Sequence, residues 1–288
     1  LSSMTTNNVQ LVGVCGSGIM GAGLAEVVAR AGVDVIVRSR TIDGAKSMLS
    51  SIEKNLDKQV AKEKMTVDQR NEVLSHIRIT DSLNDLASCD LVIESIVEEL
   101  APKQALFKEL DAIVKPDAIL ATNTSTLAVV KLAEATSRPD KVCGIHFFNP
   151  ATAMPLVEVV RPLTASDDTM AAANAFTAKC GKSGVQVKDR AGFIVNALLF
   201  PYLNNAIRIW ETGTASMEDI DTAMKGGCNF PMGPFALLDL IGIDTTISIL
   251  NALQSEFKQS HLEPADSLKK LLAEGKLGRK TKQGFFTY

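Results

Sequence analysis

The sequence predicts an α/β fold, a doubly wound sheet followed by an all-helical C-terminal domain, and three observations carry that prediction. Short β-branched runs alternate with helix-length segments over the first two thirds of the chain. After Asp189 the pattern becomes helical, with no alternating strand. At 288 residues, 46% hydrophobic and 22% charged, the chain is long and apolar enough for two domains with cores of their own.

In chain order, the strand-like runs are VQLVGV (9–14), VDVIV (33–37), IRIT (77–80), LVIESI (91–96), AILATN (118–123), KVCGI (141–145), LVEVV (156–160) and VQVK (185–188). Their β-branched content suits a pleated surface. The helix-length segments between them read as βαβ units, which build a parallel sheet wrapped by helices. Beyond them, Ile194–Trp210, Met217–Met224, Pro234–Leu240, Thr245–Phe257 and Ala265–Ala273 read as helices. The expected domains are 4–188 and 189–288, and a cleft between two such domains is the expected ligand site.

Composition excludes several functions. A net charge of −3 supplies no general attraction for nucleic acid or an anionic membrane. No apolar run approaches the ~18 to 20 residues of a bilayer span; Gly192–Leu203 is interrupted by Asn196 and Pro201. Residues 1–8 lack the basic and apolar pattern of a secretory signal, and Met4 reads as the native start behind an added Leu1–Ser3. Five cysteines, an odd count without a CxxC pair, suit reduced core thiols and a cytoplasmic, metal-free protein.

The first strand runs directly into Gly16-Ser17-Gly18-Ile19-Met20-Gly21, which opens a helix followed by a second strand. Gly16 allows the tight turn, Gly18 lets the backbone approach a pyrophosphate, and Gly21 lets helix and strand pack closely. The helix N-terminus then offers free N–H groups to the phosphates. A glycine-rich turn without a ligand is the alternative, but the complete strand–turn–helix–strand unit favours a Rossmann-type dinucleotide site. The second strand ends Arg38-Ser39-Arg40, where an adenosine-ribose carboxylate is usual. Ser39 and Arg40 or Arg38 suit a 2′-phosphate, so the expectation leans to NADP(H) over NAD(H). In the competing reading both arginines face solvent and Asp43 supplies the carboxylate.

Of three histidines, His76 and His261 lie in polar or helix-end surroundings, whereas His146 follows the KVCGI strand at the edge where ligands bind such sheets. Imidazole titrates near ~6.5, suited to moving a proton at neutral pH. Twelve residues on, Glu158 interrupts the apolar run Leu156–Val160. A carboxylate there is costly unless paired, and an imidazolium is a fitting partner. A satisfied structural histidine and an edge-strand glutamate would leave the same residues in place.

Seven motifs fall in one order: the glycine turn, Asn123-Thr-Ser125-Thr-Leu127, His146-Phe-Phe-Asn149-Pro150, Leu156-Val-Glu158-Val159, Gly192-Phe-Ile-Val-Asn196, Pro231-Met-Gly-Pro-Phe235 and Leu277-Gly-Arg-Lys-Thr281 with Gly284-Phe-Phe. From Val9 to Tyr288 the chain resembles the 3-hydroxyacyl-CoA dehydrogenase family, in its short 3-hydroxybutyryl-CoA type. The resemblance implies a CoA-thioester substrate, His146 as general acid/base, and Glu158 orienting it. It implies that Ser125 and Asn196 hold the reacting oxygen or the thioester chain, with Asn149 in the same pocket. Asn123 falls in the cofactor-binding set, and Glu98 and Lys103 match positions near the nicotinamide ribose. It also implies a homodimer through the helical domain. Ser39 and Arg40 depart from the acidic residue of NAD-preferring members.

Lys54, Lys58 and Lys62 recur every four residues on a predicted helix, a face that would suit CoA phosphates; a solvated lysine stripe neutralised by Glu53 and Asp57 is equally ordinary. Aromatic residues of the second domain, among them Phe193, Phe200, Tyr202, Trp210, Phe230 and Phe235, read mostly as core. A gulonate-type sugar-acid dehydrogenase of the crystallin-like branch shares the fold and the His–Glu pair, and a non-catalytic relative is the third reading. The joint presence of Ser125, His146, Glu158 and Asn196 argues against the last, because packing alone does not need that polar set.

Overall fold

The computed structural model describes residues 8–288, so the expected start at Met4 and the leading Leu1–Ser3 lie outside the described residues. Within them the chain divides into two compact units, the first ending at Arg190 and the second running Ala191–Tyr288.

The first unit comprises β1 (Leu11–Cys15), α1 (Ile19–Arg30), β2 (Asp34–Arg38), α2 (Ile42–Ala61), α3 (Val67–Ser75), β3 (Ile77–Thr80), β4 (Leu91–Glu94), α4 (Leu100–Ile113), β5 (Ile119–Thr122), α5 (Val129–Ala133), β6 (Val142–Phe147), β7 (Leu156–Arg161), α6 (Asp167–Lys179) and β8 (Ser183–Lys188). The strands form one eight-stranded sheet in the order β3-β2-β1-β4-β5-β6-β7-β8. α1, α2 and α3 pack against one another, as α4 does against α5, and strands β4 and β5 are buried along their whole length, as strands covered on both faces are. Val12, Val14, Val35, Val37, Ile93 and Ile145 pack with Leu24 and Val28 of α1 in the core.

The expectation of a parallel sheet is corrected at one seam. β7 runs antiparallel to β6, while every other neighbouring pair is parallel. The connection 148–155 holds only a turn, closed by Ala153 and Met154 N–H groups donating to the Pro150 carbonyl at 3.0 Å. A parallel return requires a crossover of a dozen or more residues. Without one, the chain folds back beside itself.

Local sequence sets several helix starts. Thr41 caps α2 by accepting from Gly44 N–H at 3.1 Å, and Thr66 with Gln69 forms a reciprocal capping box on α3. α2 ends at Ala61, so Lys62 lies just past its last helical residue and not within the helix as the lysine spacing suggested.

The second unit holds α7 (Val195–Glu211), α8 (Met217–Cys228), α9 (Pro234–Ile241), α10 (Ile243–Phe257) and α11 (Asp266–Ala273). Phe200, Leu203, Phe235, Leu238, Ile243 and Leu250 form its core. Trp210, Phe235 and Phe285 meet edge to face with centroids 5.0 to 6.1 Å apart. Phe193 is also buried, whereas Phe230 is exposed. Among the described residues no single helix is long and apolar enough to cross a membrane. α9 and α10 reach that length and composition only together, across a 97° bend.

Candidate active site

The parallel strands share one carboxyl edge, and the sheet order reverses between β1 and β4. That switch point is where open α/β sheets bind their ligands. Gly16 follows β1 with φ +126°, and a Cβ on it would strike the Ser95 carbonyl. A Cβ on Gly21 would strike the Gly16 carbonyl, so turn and helix pack as closely as glycine permits. Gly18 differs: it is the extended N-cap of α1, and nothing lies within 4 Å of where its side chain would stand. No side chain caps α1, Ile19 is 81% exposed and Met20 half-buried. An open cradle beside uncapped N–H groups fits a pyrophosphate.

At the end of β2, Ser39 is buried and its hydroxyl lies 2.8 Å from that of Ser17 in the glycine turn. Arg38 is drawn aside, its Nε donating to the Asp81 carbonyl at 3.3 Å. Arg40 is exposed beside them, and Asp43 lies outward in the first turn of α2. Arg38 and Arg40, equivalent by sequence, are therefore placed differently.

Two carboxylates, Glu94 buried and Glu98 exposed, join the next strand ends. Glu94 closes β4, accepting from the Lys103 ammonium, from Ile96 N–H at 2.7 Å and from the Thr122 hydroxyl at 2.7 Å. Glu98 accepts from the Thr124 hydroxyl and from Ser125 N–H at 3.3 Å, which fixes the loop that carries Ser125. Asn123 accepts from Phe147 N–H at 2.8 Å through Oδ1, so its amide NH2 group is the end left to donate.

His146 and Glu158 stand opposite each other across the antiparallel seam, and His146 Nδ1 is 2.9 Å from Glu158 Oε1. Both are buried. β6 extends through Phe147, which places His146 inside the strand rather than after it, a correction to the sequence reading. β7 lies between β6 and β8, so Glu158 is not on an edge strand. The seam explains how residues twelve apart in sequence become a pair: the chain reverses between them and puts both side chains on one face. The Phe148 ring lies 4.5 Å from the imidazole, and exposed Asn149 follows it.

The sheet edge thus gathers the glycine turn, Ser39, Glu98, Asn123, Ser125 and His146. Asn196 lies half-buried in the first turn of α7, in the second unit. Lys54 and Lys58 are exposed on α2, with Lys62 exposed at its end, and Asp57 beside them is engaged by Arg70 at 2.8 Å. Among the described residues no group of three or more His, Cys, Asp and Glu side chains is placed to hold a metal ion. Sequence reasoning passed over Glu94, although it carries the signal that singled out Glu158: a carboxylate within an apolar run, here Leu91–Ile96.

Residues 11–190 match the family model of the 3-hydroxyacyl-CoA dehydrogenase NAD binding domain, and residues 192–288 match that of the 3-hydroxyacyl-CoA dehydrogenase C-terminal domain. A 3-hydroxybutyryl-CoA dehydrogenase of Mycobacterium tuberculosis is 44% identical over 286 residues, covering 97% of this chain and 99% of that protein. A mitochondrial hydroxyacyl-coenzyme A dehydrogenase of Homo sapiens is 44% identical over 288 residues, covering 97% and 91%. The crystal structure of an (S)-3-hydroxybutyryl-CoA dehydrogenase from Ralstonia eutropha superposes with a TM-score of 0.96 at 39% identity, covering 98% and 99%.

Proposed function

The chain belongs to the 3-hydroxyacyl-CoA dehydrogenase family, an oxidoreductase family, and from that premise we propose that it interconverts (S)-3-hydroxybutyryl-CoA, or a similarly short 3-hydroxyacyl-CoA, and acetoacetyl-CoA. The observation that carries this reading is the buried His146–Glu158 pair at the carboxyl edge of the sheet. A nicotinamide bound at the glycine turn would supply the acceptor for the C3 hydride in oxidation and its donor in reduction. His146 does the proton work. Nδ1 is committed to Glu158, so Nε2 takes the 3-hydroxyl proton as the C3–O bond becomes a carbonyl, and returns it in reduction. Glu158 holds the ring in orientation and stabilises the imidazolium that forms. The Ser125 hydroxyl, with Asn149 of the same unit, holds the reacting oxygen or the thioester chain, and Asn196 is assigned the same role by the motif Gly192–Asn196.

Gly16, Gly18, Ile19, Met20 and Gly21 receive the dinucleotide, and Glu98, Lys103 and Asn123 serve its nicotinamide half. For the adenosine half the reading favours NADP(H), supported by a β2 end without a carboxylate, by the Ser17–Ser39 hydroxyl pair, and by Arg40 standing exposed. Lys54 and Lys62 serve the CoA phosphates, which the engagement of Asp57 by Arg70 supports by removing a competing anion. The second unit forms a homodimer.

Initial rates with acetoacetyl-CoA, following NADPH and NADH oxidation in parallel at equal concentrations, test the whole reading. Faster turnover with NADPH supports substrate and cofactor together. Turnover with NADH alone keeps the substrate and removes the 2′-phosphate assignment; no turnover with either removes the substrate. Arg40→Ala should raise KM for NADPH more than for NADH, and equal effects on both would discard the role of Arg40.

A further inference from the structure

At the switch point β1 and β4 lie side by side, with Cys15 opposite Glu94 and Ser95 N–H donating to the Cys15 carbonyl at 2.8 Å. A dinucleotide lying across this crevice passes over the end of β4. The side chain that closes β4 is Glu94, 0% exposed, and both of its oxygens are engaged. Oε1 takes the Lys103 ammonium and Ile96 N–H, and Oε2 takes the Thr122 hydroxyl from the end of β5. Lys103, in the first turn of α4 and 1% exposed, also donates to the Ile96 carbonyl at 3.4 Å. One carboxylate therefore ties together two strand ends, the loop leading to Glu98, and the start of a helix.

A buried ion pair is a weak source of stability, since apolar side chains of similar volume often serve as well. Its charges lie buried at the end of β4 beside the switch point, and neither the glycine turn nor the His146–Glu158 pair uses them. An ammonium has three donors. Among the described residues Glu94 and Ile96 accept two of them, which fixes the direction of the third.

We infer that Glu94 is the positioning residue for the nicotinamide half of the cofactor, acting through Lys103, whose ammonium it aims at the ribose, and through Ile96, whose loop it holds in register with the Asn123–Ser125 loop. The inference rests on the assignment of Lys103 to the nicotinamide ribose. Removing Lys103 alone leaves an uncompensated carboxylate under a polyanionic ligand, whereas removing both charges does not. The two positions are therefore coupled.

A double-mutant cycle of Glu94→Gln and Lys103→Met on the whole chain tests this, read by fluorescence titration of NADH and NADPH together with thermal midpoints. Each single variant should weaken nucleotide binding about tenfold or more. KM for the nucleotide rises correspondingly, while KM for acetoacetyl-CoA stays near wild type. Introducing Lys103→Met into the Glu94→Gln protein should change nucleotide binding by less than about threefold, the non-additivity expected of groups acting as one. Wild-type nucleotide affinity in Glu94→Gln, whatever its thermal midpoint, overturns the inference. So does a Lys103→Met effect that is equal with and without Glu94. Should Lys103→Met alone not fold, Glu94→Gln, which keeps the ammonium, is compared with the double variant: equal weakening in both supports the inference, and wild-type affinity in Glu94→Gln overturns it. The titration needs no acyl-CoA turnover, so failure of the substrate assignment is read separately.

Discussion

The catalytic proposal depends on the state of one imidazole. His146 lies in a strand, with Nδ1 held at 2.9 Å by a buried carboxylate, so the ring has one orientation to offer. Glu158→Gln preserves shape and an acceptor but removes the charge that stabilises imidazolium. That variant, and His146→Ala, should each reduce turnover roughly 100- to 10,000-fold, with nucleotide affinity little changed. Wild-type rates in either would remove the pair from the mechanism. Thiol chemistry separates the cysteines just as sharply. Burial pushes Cys15, Cys89, Cys143 and Cys180 up to about 12, while Cys228 is exposed. A disulfide reagent at pH 8 should therefore label Cys228 rapidly in the native protein and the other four only after denaturation. Rapid labelling of a second thiol would contradict this placement.

At the scale of elements, α4 is anchored at both ends by charge. Its start carries Lys103 on Glu94, and the carbonyls of its last turn and of the two residues after it are gathered by Arg138, which donates to Asp111 O at 3.0 Å, Val114 O at 3.3 Å and Lys115 O at 2.6 Å. The same guanidinium pairs with Asp111 through Nε at 2.7 Å. Replacing Arg138 by Met removes the ion pair with half-buried Asp111 and the donors to those carbonyls, and should cost about 2 kcal/mol, read as a fall in Tm. Burial works to raise the Asp111 pKa, but hydrogen bonds from Ser137 N–H and Arg138 prevail and hold the carboxyl below its ordinary range. A carboxylate depressed in the folded state stabilises it above the ordinary pKa, and that contribution is lost as pH falls through the folded value. Wild-type Tm should consequently fall more steeply below about pH 4 than that of Asp111→Asn. Parallel slopes would show that Asp111 is not the titrating group.

At the scale of the molecule, α7 is apolar on two sides. Phe200, Leu203 and Ile207 face the core of the second unit, while Leu198 and Ile209 are exposed, Leu198 by 72%. Apolar side chains at helical spacing on a solvent face favour association, which supports the homodimer proposal. Light scattering should give twice the 30.8 kDa chain mass for the wild type, and Leu198→Glu should shift the population to monomer. A monomeric wild type would end that reading. Much of this architecture was legible in the sequence, because hydrophobic period, β-branched runs and glycine position are local signals. The eight strand runs lie within two residues of the observed strand limits, and the histidine and glutamate of the site stood out as polar residues in apolar surroundings. Direction and pairing were not legible. An apolar run of six residues reads the same whether its neighbour is parallel or antiparallel, and the lysine spacing did not show that α2 stops before Lys62.

The sequence by itself determined the order of elements, the dinucleotide turn and the residue types of the site, since each depends on interactions among near neighbours in the chain. Only the tertiary structure decided that β7 turns back to bring Glu158 onto His146, that Arg38 turns to Asp81 while Arg40 stands open, and that Glu94 gathers Lys103, Ile96 and Thr122. Those outcomes follow from which backbone and polar groups find partners once the strands have paired. A buried charge must find its partner wherever the fold puts one, and that place is not written in sequence spacing.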